Sequence, residues 1–292
     1  MKRWLALMLF VAAVPGAWAA TEVVDDRGQR SQWSKAPQRI VSLLPSVTES
    51  VCAMGACDRL VGVDDYSNWP PQAKALPHVG GLEDANVERI VALRPDVVLL
   101  SRSARVTGRL EALGLRVLAF EPDTLADLQR VLGQLGVLLD RDAQAKALWR
   151  DMNDGVDRAA AGLPAKARGT RVYFEVASTP YAASESSFIG QLLTRLGAAN
   201  VVPGSLGPFP KLNPEFVVKA NPQLIMLGDR NTVPLATRPG WQGIDALKRE
   251  RICVFTPAQG DVLVRPGPRM AEAAQLMADC LARNGAGEGG AR

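Results

Sequence analysis

The chain has 292 residues, of which 47% are hydrophobic and 22% charged, with 34 Lys and Arg against 30 Asp and Glu. That length suits two domains of ordinary size. A formal net charge of +4, with no basic block interleaved with aromatics, argues against nucleic acid as a partner. A single histidine, His78, excludes most catalytic triads and imidazole metal sites.

Residues 1–19 read as an export signal. Lys2 and Arg3 give a positive start, Leu5 to Val14 an apolar run, and Ala17-Trp18-Ala19 an A-x-A cleavage site. The run is about half of what a membrane span requires, so no membrane insertion is expected. No cysteine follows the cleavage site, which argues against a lipid anchor, and the expected location is the periplasm. Losing Lys2 and Arg3 leaves 32 basic against 30 acidic residues, a net charge of +2.

Val23 to Trp33 predicts a hairpin around Asp26-Arg27-Gly28. Arg39 to Leu44 predicts a strand, and Pro45-Ser46-Val-Thr-Glu49 opens a helix in which Ser46 and Glu49 form a capping box. Gly55 closes that helix. Leu60 to Val63 is the next strand, followed by the polar loop Asp64 to Pro71. Val87 to Leu93 predicts a helix, Val97 to Leu100 a buried strand, Leu110 to Leu113 a helix end before Gly114, and Arg116 to Phe120 a strand. Strands alternating with helices imply a parallel sheet covered on both faces. Leu125 to Leu139 predicts a helix. A second helix, 141–163, spans about 30 Å and reads as a strut between two lobes, 20–140 and 164–284, with a frayed tail at 285–292.

The second half restarts the pattern with a strand from Arg171 to Val176, a helix from Ser186 to Leu196, a helix from Pro214 to Ala220 and a strand from Leu224 to Leu227. Ile244 to Leu247 ends a helix, Arg251 to Phe255 is a strand, and Arg269 to Arg283 is the final helix. Asn86 to Leu100 and Asn213 to Leu227 are near-copies: helix, proline stop, buried strand. The offset of 127 residues, from 86 to 213, is too long for a solenoid, whose units run roughly 20–50 residues. It predicts two similar α/β lobes with mainly parallel central sheets and a ligand cleft between them. Leu110 to Phe120 and Ile244 to Phe255 form a weaker second echo.

Four cysteines in an exported chain imply two disulfides. Of three possible pairings, Cys52–Cys57 across the turn at Gly55 and Cys253–Cys280 from strand to last helix are expected. Their spacing does not match a zinc site, and no metal site is expected.

In an open parallel sheet, ligands lie beyond the carboxyl ends of strands. Those ends gather Pro45 and Ser46, Asp64 to Tyr66, Ser101 and Arg102, Glu121, Ala177 and Ser178, Asp229 and Arg230, and Thr256. The aromatics Tyr66, Trp69, Phe209 and Tyr181 lie in nearby loops. Such residues offer a flat, rigid ligand large contact area at low entropy cost, although loop aromatics are also ordinary small cores. The arginines 102, 105, 230 and 265 either counter anionic groups or are solvated. No nucleophile elbow, P-loop or dinucleotide fingerprint is present, so no catalytic residue and no resident cofactor are expected. Asp64-Asp65 is an adjacent acid pair at a strand end that could act together, and adjacent loop acids are usually turn formers. Glu88 and Glu215 each follow the repeat's Asn by two residues. An acid in a first helical turn complements the helix dipole; a matched pair, one per lobe, also suits docking on a two-fold partner carrying arginines.

Arg39-Ile-Val-Ser-Leu-Leu-Pro-Ser-Val-Thr-Glu49, Tyr66-Ser-Asn-Trp-Pro-Pro71 and Val87-Glu-Arg-Ile-Val-Ala-Leu-Arg-Pro-Asp96 resemble the class III periplasmic substrate-binding proteins of ABC importers. The resemblance covers nearly the whole chain after residue 19. It implies two α/β lobes joined by one long helix, and capture of vitamin B12, a ferric siderophore or haem rather than catalysis. The Tyr66 stretch is most similar to members that bind vitamin B12, which implies cobalamin or a related corrinoid as ligand. By that resemblance Tyr66 and Phe209 line the corrinoid pocket; the strand ends and their loops add Ser46, Asp65, Trp69, Arg102 and Arg230 as further expected ligand contacts. Glu88 and Glu215 then dock with arginines of the importer permease. A pocket tryptophan of such members falls at Leu82, and an aromatic pair before the final helix falls at Val262-Leu263. The protein is expected to act as a monomer. The rivals are a siderophore or haem receptor of the same fold, a periplasmic hydrolase using Asp64 and Asp65, and a sensor or scaffold with an empty cleft.

Overall fold

A computed structural model describes residues 20–177, 180–228 and 234–284. The expected signal at 1–19, the tail from 285, Ser178, Asp229 and Arg230 lie outside the described residues.

An antiparallel hairpin, β1 (Thr21–Val24) and β2 (Arg30–Trp33), opens the chain. The first sheet is built from β3 (Ile40–Ser42), β4 (Leu60–Val63), β5 (Val97–Leu100) and β6 (Val117–Ala119). All its pairings are parallel, in the order β4-β3-β5-β6. The helices between them are α1 (Pro45–Ala53), α2 (Pro71–Lys74), α3 (Val87–Ala92) and α4 (Thr107–Ala112). Every residue of β3 and β5 is buried, as a sheet covered on both faces requires.

Two consecutive long helices follow, α5 (Leu125–Leu139) and α6 (Asp142–Ala161). Thr124 and Asp127 cap α5 reciprocally, the arrangement in which two orphan N–H groups are satisfied at once. Helix α6 buries Ala145, Met152, Gly155, Val156 and Ala159 along one side.

The second sheet contains β7 (Arg171–Ala177), β8 (Tyr181–Ala182), β9 (Ala199–Asn200), β10 (Leu224–Gly228) and β11 (Ile252–Phe255). Its order is β11-β10-β7-β8, with β9 also on β7 and only β8 antiparallel. Helices α7 (Phe188–Arg195), α8 (Pro214–Ala220), α9 (Asp245–Lys248), α10 (Pro257–Val264) and α11 (Met270–Asn284) complete the chain. The sequence repeat is therefore a structural one. Each copy is a short helix leading into the strand that lies between its sheet's first and last strands in chain order, α3–β5 in one lobe and α8–β10 in the other. The weaker echo gives α4–β6 and α9–β11.

One apolar core runs through both lobes, from Val47 and Val51 through Leu128, Leu135, Val156, Leu192 and Met277. The opposite face of each sheet has its own core: Val41, Ile90, Val98 and Leu110 in the first lobe, Tyr173, Val217, Ile225 and Trp241 in the second. Helix α11 returns to lie against α6. Gly155 permits this approach, since a Cβ there would overlap Ala271. Helix α6 is thus packed against α5 and α11 rather than free. The disulfides are Cys52–Cys57, with Cα atoms 4.0 Å apart, and Cys253–Cys280, 6.2 Å apart.

Two details depart from expectation. Helix α1 has Leu44 as its N-cap with no side-chain capping bond. Ser46 and Glu49 form no capping box, because Pro45 takes the first helical position and moves the N-cap back from Ser46 to Leu44, and Glu49 is drawn to arginines of the other half. Helix α10 falls where no helix is expected, between β11 and α11.

Candidate functional site

A cavity of about 480 Å³ lies between the two sheets. Its first wall comes from the carboxyl ends of the first sheet. β3 delivers Leu43, Leu44, Pro45 and Ser46, β4 delivers Asp64 and Tyr66, β5 delivers Ser101, and β6 delivers Phe120, Glu121, Pro122 and Asp123. The second wall comes from Val176 at the end of β7, Phe188 and Ile189 at the start of α7, Phe209, and Asp261, Val264, Arg265 and Pro266 from α10 and the turn after it. This is the position that parallel-sheet topology assigns to a ligand.

Tyr66 stands 60% exposed on the first wall. The Phe209 ring meets Phe188 edge to face on the second wall, with centroids 5.9 Å apart. Aromatic surface thus comes from both lobes. Leu82, 38% exposed, also lines the cavity, whereas Val262 and Leu263 are 3% and 1% exposed and belong to the core.

The loop carrying Tyr66 is fixed from both sides. The Asp64 carboxylate accepts hydrogen bonds from the Tyr66 amide at 2.8 Å and the Ser67 hydroxyl at 2.5 Å. Burial pushes its carboxyl above the ordinary carboxylate value, opposed by those bonds and by Arg265. Across the cleft, the Arg265 guanidinium donates to the Tyr66 carbonyl at 2.9 Å, Asn68 Oδ1 at 2.8 Å and Glu49 Oε1 at 3.0 Å. Arg269 adds two bonds to Glu49, at 2.8 and 2.6 Å. Asn68 in turn donates to Asp261 Oδ2 at 2.8 Å. A buried polar cluster therefore ties α1 and the Tyr66 loop to the segment 261–269.

Of the expected ligand contacts, Ser46, Tyr66 and Phe209 come together on the cavity wall and three described ones do not. Asp65 is exposed and lies 3.6 Å from His78 Nδ1, so Asp64 and Asp65 face different surroundings and form no working carboxylate pair. His78 has an acidic neighbour in space that its sequence context does not show. Trp69 is 47% exposed, with the Arg269 guanidinium 5.6 Å from its ring. Arg102 holds Glu121 at 3.1 Å and lines an adjoining acidic hollow with Asp25, Asp26 and Asp127 instead of the main cavity.

Sequence reasoning missed Glu49 as a cross-lobe anchor, Asp123, Phe188 and α10. Helix α10 had a legible signal: Thr256 and Gln259 form a capping box with Pro257 at the first turn. A second buried pair also went unseen, in which Arg238 grips Glu175 at 2.6 and 2.8 Å. Burial, followed by this same Glu175, drives the Tyr173 phenol well above its ordinary pKa.

Glu88 and Glu215 are both exposed, each the second residue after its capping asparagine. Asn86 accepts from the Arg89 amide at 2.9 Å and Asn213 from the Glu215 amide at 3.0 Å. Glu88 also meets Arg109 at 2.8 Å on the surface. No group of three or more metal-ligating side chains is assembled among the described residues, and no described helix is long and apolar enough to cross a membrane.

Residues 40–258 match the family model described as periplasmic binding protein. A vitamin B12-binding protein from Pectobacterium carotovorum is 30% identical over 250 residues, covering 84% of this chain and 88% of that protein. An uncharacterised ABC transporter substrate-binding lipoprotein from Bacillus subtilis is 28% identical over 305 residues, covering 95% and 96%. Among solved structures, a periplasmic heme-binding protein from Pseudomonas aeruginosa superposes with a TM-score of 0.71 at 26% identity, covering 85% of this chain and 94% of that one. The chain belongs to the periplasmic binding protein family, as a two-lobed substrate-binding protein of the ABC-importer class.

Proposed function

We propose that this protein captures a corrinoid, cobalamin or a close relative, in the cleft between its lobes and hands it to an ABC importer. The observation that carries this reading is the cavity itself. Its walls are mainly apolar, and it presents Tyr66 from one lobe and Phe209, backed by Phe188, from the other. Two opposed aromatic surfaces suit a broad, rigid macrocycle. The similarity to vitamin B12-binding proteins over most of the chain supports the same ligand. The ligand brings its own metal, so the protein needs no metal ligands.

The lobes in this reading are residues 20–140 and 164–284, bridged by 141–163. The continuous core beneath α5, α6 and α11 favours small lobe motions over wide closure. Glu88 and Glu215 are the proposed contacts with the permease, one at the start of each repeat helix. A single copy of the chain suffices for both roles.

The direct test is calorimetric titration of the exported protein with cyanocobalamin. One-to-one binding at micromolar affinity or tighter, about −8 kcal/mol or stronger, is the expected result. Tyr66→Ala and Phe209→Ala should each weaken binding about tenfold or more, as buried aromatic anchors do. Absence of heat and of any thermal shift would discard the corrinoid. Haem is then the next ligand to titrate, since the likeness to the heme-binding protein and the accessible Tyr66 phenol, whose oxygen is of the kind that ligates haem iron, favour it over an enzymatic role.

A further inference from the structure

The charged groups on the cavity wall are unequal in number and in satisfaction. Asp64, Glu121, Asp123 and Asp261 line the cavity, against Arg265 as the one lining cation among the described residues. Arg265 is already engaged with Glu49, Asn68, the Tyr66 carbonyl and Asp261. Among the described residues, no cation on the wall is therefore left to meet an anionic ligand.

The acids differ among themselves. Asp64 is closed off by Ser67 and the Tyr66 amide. Glu121 accepts from the Ser101 hydroxyl at 3.2 Å through one oxygen and from Arg102 at 3.1 Å through the other. The Asp123 carboxylate accepts no hydrogen bond and forms no ion pair among the described residues; only its backbone carbonyl is used, by the Phe188 amide at 2.7 Å. That backbone bond crosses from one lobe to the other and holds Asp123 beside Phe188, at the aromatic wall. Burial, and then the neighbouring Glu121, raise its carboxyl above the ordinary value, opposed by the charge of Arg102.

We propose that Asp123, with Glu121 beside it, selects among ligands by their rim: it accepts hydrogen bonds from peripheral amide N–H groups and rejects peripheral carboxylates. This rests on the corrinoid reading and sharpens it. A corrinoid whose side chains end in primary amides supplies donors without charge. A tetrapyrrole or corrinoid ending in carboxylates places like charges together in a partly desolvated cleft, where repulsion is weakly screened. A half-buried acceptor left unpaired by the wrong ligand adds to the discrimination.

The test compares cyanocobalamin with its mono-acid isomers, each having one peripheral amide hydrolysed, and with haem, on wild-type and Asp123→Asn protein. Wild type should bind at least one mono-acid isomer tenfold or more weakly than cyanocobalamin. Asp123→Asn, nearly isosteric and able to donate as well as accept, should shrink that ratio several-fold. The proposal is overturned if every isomer binds wild type as well as cyanocobalamin does, or if the ratio survives the substitution. If cyanocobalamin itself fails to bind, the corrinoid reading falls and the haem titration decides the rest. Haem bound only by Asp123→Asn supports carboxylate exclusion, and haem bound equally by both, or by neither, ends it. A Glu121→Gln protein, checked by thermal melting, covers the case of a misfolded first variant.

Discussion

Arg265 Nη1 lies 3.0 Å from Glu49 Oε1, joining residues 216 positions apart in an ion pair that is almost fully buried. The same guanidinium holds the Tyr66 carbonyl. One side chain thus couples helix α1, the loop that presents Tyr66 to the cleft, and the approach to α11. Breaking a buried pair by removing one partner typically costs about 3–5 kcal/mol, because the other charge is left uncompensated. In Glu49→Leu, Arg265 retains Asp261 and the Tyr66 carbonyl while Arg269 loses both bonds, so a loss near about 3 kcal/mol is expected. Urea unfolding of the two proteins measures it. A loss below about 1 kcal/mol, the scale of an exposed pair, would mean that the cluster is solvated and holds nothing together.

Asp64 gives the pH dependence. Its folded-state carboxyl is raised above the ordinary value, mainly by burial. The native state therefore holds a proton that the unfolded state releases first as pH rises. Stability contributed by protonated Asp64 is full below the unfolded pKa and is lost as pH climbs through the folded one. Asp64→Asn can keep the acceptor for the Tyr66 amide and has no proton to lose. Wild type should accordingly lose melting temperature relative to Asp64→Asn as pH rises from the ordinary carboxylate range upward. Parallel melting curves across that range would contradict the assignment.

Much of the architecture is legible in the chain because the two halves repeat. Asn86 to Leu100 and Asn213 to Leu227 become the same helix–strand unit in two sheets, and the apolar strands β3, β5 and β10 are plain from their runs. The site is legible where it depends on chain order, since Ser46, Tyr66, Ser101 and Glu121 all follow strand ends. It is illegible where distant partners decide. Glu49 reads as a capping residue when only its neighbours are known, because its two arginines come from the far end of the sequence. Phe188 reads as a helix residue on the sheet and turns out to back Phe209. Asp123 has no neighbour in sequence to flag it, and matters because no hydrogen-bond donor or ion-pair partner among the described residues holds its carboxylate.

The Cys253–Cys280 disulfide ties β11 to α11, the helix that packs on α6. It closes a loop with a sequence separation of 27, against 5 for Cys52–Cys57. On the chain-entropy relation the longer loop stabilises by about 3–4 kcal/mol and the shorter by about 2 kcal/mol. The Cys253→Ser, Cys280→Ser protein should therefore unfold at lower urea than the Cys52→Ser, Cys57→Ser protein. The reverse order would show that native contacts around Cys52, rather than loop closure, set the ranking.

The proposed docking residues give the sharpest separation of capture from delivery. Glu88 and Glu215 are exposed and lie outside the cavity wall, so reversing them should not touch the ligand. Each sits in a first helical turn, where an acid complements the helix dipole by about 0.3–1 kcal/mol. Glu88→Arg also sets a cation against Arg109, its present partner, at a surface where such a pair is worth little. The double variant should fold, with stability lower by about 1–2 kcal/mol, and bind ligand in solution as wild type does. Uptake by cells should fall tenfold or more, and each single reversal should fall between. A two-fold permease surface carrying arginines repels the reversed charges at both ends, so the two defects should add. Uptake preserved in the double variant would remove these residues from the docking surface. Loss of ligand binding would place the defect in the fold instead.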